Sequence, residues 1–236
     1  MSIAEDTTVT NRYLSGNFRP TYDEITAENL EVIGEIPADL QGHFLRIGPN
    51  PYYVPDIVKY HIFDGDGMIH GVQFENGTAT YRNKFIASEG LREEREAGHW
   101  IYPGMNMYGE LIAKGKMPNG KNTGNTAMVY HNDQLFALME GGTPYRLSLP
   151  DLTTEGEHDF DGTLTHNFTA HPKVDVKTGE MMTFGYSPMP PFLTYSVVSP
   201  AGKAVHSKEI TIPKGVMMHD CGITENYTIF PDLPLV

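Results

Sequence analysis

Short runs rich in apolar, β-branched and aromatic residues recur along the chain, separated by polar and glycine-bearing turns. They include "ATYRNKFIA" (79–87), "TAMVYH" (126–131), "QLFALME" (134–140), "LTYSVVS" (193–199) and "KAVHSKEITI" (203–212). ND, NG, TG and AG dipeptides stand between them, the composition of tight connections between strands. Long helical patterns are scarce. The best helix candidate, "GLREEREAGHW" (Gly90 to Trp100), is short and highly charged. The pattern predicts an all-β fold with short helical or loop insertions.

The runs also repeat. A polar turn followed by a strand occurs in "HNDQLFALME", "KTGEMMTFGY" and "TENYTIFPDL", with strands expected to begin at residues 134, 180 and 226, two steps of 46. Each is preceded by a further strand-like run. A hairpin returning every 40–50 residues or so is the sequence mark of propeller blades, whose inner strands converge on a central channel. His171 and His219 open two successive inner strands on this reading. The repeat would bring their imidazoles to one axial point, where neutral imidazole suits iron, copper, zinc or nickel. The competing reading is two ordinary structural histidines near strand starts, in a chain with ten.

Composition narrows the function classes. The chain has 236 residues, 39% of them hydrophobic, enough to bury a core, and the expectation is one domain over 1–236 with residues 1–20 a flexible N-terminal segment. A net charge of −13 and no basic face argue against nucleic acid as a partner. The lysines of "KGKMPNGKN" (114–122) read as a solvated loop. A single cysteine, Cys221, fits a reducing compartment, and no secretory or membrane-spanning run is seen, so a cytoplasmic location is expected. Cys221 reads as a small buried residue rather than a nucleophile, and no G-x-S-x-G occurs. "HIFDGDGMIHG" (61–71) could be a calcium loop starting at Asp64, but position six holds Ile69 where that loop needs glycine. It reads instead as a glycine turn feeding a strand. "RIGPNPYY" (46–53) reads as a proline-locked scaffold turn.

Five collinear stretches together resemble the carotenoid cleavage oxygenase family of carotenoid, apocarotenoid and stilbene dioxygenases. They are "GHFLRIGPNPYY", "HIFDGDGMIHGVQFENGTATYRNKFI", "LFALMEGGTPYRLSLPDLTTEGEHDFDGTL", "TAHPKVDVKTGEMMTFGYSP" and "MHDCGITENYTIFPDLPL", covering most of Gln41 to Leu235. The resemblance implies a seven-bladed β-propeller, of which this chain would be the N-terminal part with roughly half the blades. It implies one Fe(2+) held by four histidines, with O2 and an apolar polyene or stilbene as substrates. It also allows peripheral membrane contact at the mouth of an apolar tunnel. The family's first ligand matches His171 in "TAHPK" and its second matches His219 in the "HD" pair. The glutamate that orients a ligand matches Glu140 in "ALME". Stilbene-cleaving members carry a lysine where this chain has Met139, and use an upstream tyrosine for which Tyr102 and Tyr108 are the candidates. The methionine favours a carotenoid or apocarotenoid over a hydroxystilbene. The third and fourth histidines have no match here, so the truncated chain alone is expected to be inactive, and a non-catalytic propeller fragment that binds a partner is the rival reading.

Overall fold

The computed structural model describes residues 11–233, so residues 1–10 of the expected flexible segment lie outside the described residues. The remainder of that segment forms two 3-10 turns, and Asn11 Nδ2 donates to the carbonyls of Ile57 and Tyr60 at 2.8 Å. The described residues are all-β with few helices, arranged as open antiparallel sheets in two compact units, Met1–Asn125 and Thr126–Val236.

In the first unit, β1 (Thr26–Ala27), β2 (Gly42–Pro49), β3 (Gly67–Glu75) and β4 (Thr78–Phe85) pair in the order β1-β4-β3-β2. Asn76 and Gly77 both take positive φ, the two-residue turn that suits the twist of a hairpin. The helix α1 (Glu89–Ala97) starts where the Ser88 hydroxyl accepts the Leu91 N–H at 3.1 Å, and stops at left-handed Gly98. It buries Leu91 against Met68 and Phe85. A second helix, α2 (Tyr108–Ala113), is a turn and a half. Asn50 in "RIGPNPYY" clamps Thr21, accepting from its N–H at 2.8 Å and donating to its carbonyl at 2.6 Å.

The acidic glycine turn is structural. Asp64 accepts the N–H groups of His61 and Met105 at 3.0 and 2.8 Å. Asp66 accepts the Tyr52 N–H at 3.0 Å and pairs with Lys121 at 2.8 Å. Lys121 also pairs with Glu94 of α1 at 2.8 Å, and the three side chains are 9%, 1% and 1% exposed. Lys121 is therefore not part of a solvated loop. Its ammonium holds two buried carboxylates that would otherwise repel, and so fastens the segment after α2 to the start of β3. Burial pushes the Asp66 carboxyl up, with Lys121 opposing.

In the second unit, β5 (Ala127–His131), β6 (Gln134–Leu138), β7 (Tyr145–Leu147) and β8 (Thr154–Glu157) form one four-stranded meander. The strands β9 (Lys173–Val174), β10 (Met181–Tyr186), β11 (Leu193–Val198) and β12 (Ala204–Glu209) form a second. A hairpin of β13 (Gly222–Ile223) and β14 (Thr228–Ile229) follows. The second strands of three successive hairpins start at residues 134, 181 and 228, two steps of 47, so the repeat seen in the sequence is a repeat of structure. Alternation along β10 divides its side chains between two cores. Met181 packs with Phe136, Leu138, Phe160 and Phe168, whereas Phe184 packs with Leu193, Met218 and Cys221. Each such fully buried side chain contributes about 1.5–3 kcal/mol of apolar burial. No helix among the described residues is long and apolar enough to cross a membrane.

Candidate functional site

His171 lies two residues before β9 and His219 three before β13, at corresponding places in successive repeats. Their ring centroids are 4.5 Å apart with planes at 67°. His219 donates from Nδ1 to Glu140 Oε2 at 2.9 Å, and the Tyr186 hydroxyl donates to Glu140 Oε1 at 2.5 Å. The carboxylate thus accepts at both oxygens. Its hydrogen bond calls for a proton on His219 Nδ1, and in the neutral ring that tautomer carries its lone pair on Nε2. His171 Nε2 is buried and has no hydrogen-bond partner. Burial and the neighbouring His219 hold the His171 imidazole below its ordinary pKa, so it is neutral at pH 7. Two imidazoles in contact, one of them with a buried Nε2 that has no partner, are the donor chemistry a divalent transition metal takes. No group of three or more His, Cys, Asp or Glu able to hold a metal forms among the described residues.

The positioning of these groups follows from the local chain. Glu140 stands just past β6, and Gly141 turns the chain at φ 86°, a conformation a side chain would strain. That turn bonds directly to the segment leading to His171: Gly141 N–H donates to the Phe168 carbonyl and Phe168 N–H to the Gly142 carbonyl, both at 3.1 Å. Asn167 Nδ2 then donates to the Tyr186 carbonyl at 2.8 Å. The crossing is tight, since a Cβ on Gly185 would lie 2.2 Å from both Asn167 oxygens. Lys173 and Asp220, each close in sequence to one of the histidines, pair at 2.7 Å and tie the two segments together.

Sequence reasoning missed Tyr186 and the Lys173–Asp220 pair. Tyr186 ends its strand 46 residues after Glu140, the step of the sequence repeat, but nothing local marks its hydroxyl as the partner of that carboxylate. Burial, then Glu140, push the Tyr186 hydroxyl well above the ordinary phenol value, so it is a donor. Met139 precedes Glu140 and is half-buried. Tyr102 and Tyr108 lie in the first unit. The Tyr102 hydroxyl donates to Glu93 at 2.5 Å, and that bond, with burial, pushes it up to about 12. Cys221 is buried, and burial pushes its thiol up to about 11, away from a reactive thiolate. His131 is buried with Nε2 against the Gly179 carbonyl at 2.9 Å, and His206 is exposed on β12.

Residues 18–236 match the family model described as RPE65, retinal pigment epithelial membrane protein. The chain belongs to this RPE65/carotenoid cleavage oxygenase family. It is similar to the carotenoid 9,10(9',10')-cleavage dioxygenase of Crocus sativus, with 44% identity over 94% of this chain and 44% of that protein. Among solved structures it is similar to the lignostilbene dioxygenase of Pseudomonas brassicacearum, with TM-score 0.81, 32% identity, 94% of this chain and 47% of the other. A cobalt-substituted form of the Synechocystis apocarotenoid oxygenase matches with TM-score 0.74 at 33% identity over 89% of this chain and 47% of that one. The chain spans less than half the length of these carotenoid oxygenase relatives.

Proposed function

We propose that this chain is the N-terminal part, with roughly half the blades of a seven-bladed propeller, of a non-haem Fe(II) dioxygenase, and that the whole enzyme cleaves a C=C bond of a carotenoid or apocarotenoid into two carbonyl products. The observation that carries the reading is the pair of imidazoles at 4.5 Å, with Glu140 on one and a buried, unpartnered Nε2 on the other. His171 and His219 would hold the metal through Nε2, and Glu140 would orient His219 and make its ring a better donor. The remaining two histidines of the family's set would come from the part of the relatives that this chain does not match. Bound Fe(II) would supply the activation of O2. The protein around it would orient the polyene, keep water out and hold the His171 imidazole neutral.

Two other readings stay in contention. The similarity to a lignostilbene dioxygenase supports a hydroxystilbene substrate. Met139 speaks against it, since a thioether offers a phenol neither charge nor donor. A propeller fragment acting only as a binding surface fits the incomplete donor set. Metal analysis and product analysis of the full-length protein and its His171→Ala and His219→Ala variants test the main reading. Loss of iron and of cleavage in both variants is expected, and full iron occupancy with turnover in His171→Ala would overturn the assignment. Competitive turnover of an apocarotenal and a hydroxystilbene separates the two substrate classes.

A further inference from the structure

We propose that Tyr186 is a positioning residue for His219, acting through Glu140. The inference deepens the proposed function, because it matters to catalysis only if His219 is a ligand. It rests on how little else holds these groups. The His219 side chain is 59% exposed, and among the described residues its polar contact is Glu140. Glu140 ends in a broad sp² torsion, so its carboxylate plane is not set by its own rotamer. The Tyr186 hydroxyl at 2.5 Å sets it.

The donor and acceptor roles leave one arrangement. An ionised carboxylate only accepts, so Tyr186 O–H and His219 Nδ1–H must both donate to it. Glu140 bonded to both therefore selects one His219 tautomer and one ring orientation. Tyr186 is in turn anchored where β10 crosses the Asn167 segment, through its carbonyl to Asn167 Nδ2 and through the close approach at Gly185. The rigid crossing is transmitted to an exposed imidazole by a phenol and a carboxylate. Without the phenol, Glu140 can turn toward solvent, and His219 loses the acceptor that fixes its ring.

The experiment uses Tyr186→Phe in the full-length protein, which keeps the ring and removes only the donor. In the metal-free protein, 15N NMR of the histidine side chains should show His219 with its proton on Nδ1, and a mixture of tautomers in the variant, with His171 unchanged. Iron affinity, read by chelator competition, should fall about tenfold, at the lower end of losses seen for partners of metal ligands. Glu140→Gln should give the same tautomer pattern, and the double variant should lose little more than Glu140→Gln alone. An unchanged His219 tautomer in Tyr186→Phe, or losses that simply add in the double variant, would overturn the proposal. A tautomer shift in a protein that binds no iron would uphold the positioning role and refute the metal reading instead.

Discussion

At position 140 one carboxylate serves two donors, His219 and Tyr186, and an amide cannot do the same. In Glu140→Gln the amide can present only one acceptor, so one of the two donors faces an N–H. The expected result is a protein that still folds and retains iron about 10–100-fold more weakly, measured by chelator competition in the full-length form. His131→Ala is the contrasting case. Its Nε2 is committed to the Gly179 carbonyl of a neighbouring turn, so its loss should lower the unfolding midpoint and leave iron stoichiometry unchanged. The identity of His171, His219 and Glu140 as a group was legible before the fold, through the repeat and the motif match. The Tyr186 hydroxyl was not, because a tyrosine at a strand end looks like any aromatic until its oxygen is found beside a carboxylate.

Among the elements, β10 and the segment before β3 are the most exposed to single changes. Gly185→Ala puts a methyl 2.2 Å from two oxygens of Asn167, and neither the backbone carbonyl nor the bonded side chain can withdraw without breaking the crossing. The expected cost exceeds the roughly 1–3 kcal/mol of ordinary overpacking, read in urea unfolding, with the His171–His219 arrangement lost as well. Lys121→Met should cost about 3–5 kcal/mol at neutral pH, since it strands two buried carboxylates. The sign with pH follows from Asp66, whose pKa burial already raises. Without the lysine's opposing charge that pKa rises further. The deficit is then greatest above it and shrinks as pH falls through it, because the neutral carboxyl tolerates burial. Unfolding curves of wild type and variant between neutral and mildly acid pH check this. The strands themselves were readable because β-branched and aromatic runs between turn dipeptides have few other outcomes. Lys121 was misread as solvated because its partners lie 27 residues or more away, and nothing local marks a buried cation.

Over the whole molecule, the short span against its relatives governs what can be measured. The 236-residue chain brings two imidazoles together and no larger metal-holding group among its described residues. It should therefore hold iron far more weakly than a version extended through the length the relatives cover, as equilibrium dialysis against iron would show. Comparable affinity in the two would mean that this chain completes a site by itself. By itself the sequence determined the all-β class, the repeat and the family, since each depends on local composition or on the order of short motifs. Only the tertiary structure decided the rest: the 4.5 Å approach of two histidines 48 residues apart, the carboxylate shared between His219 and Tyr186, and the lysine buried between two acids. Those contacts depend on how far each strand is rotated and how closely successive sheets pack, and no local pattern of residues encodes such distances.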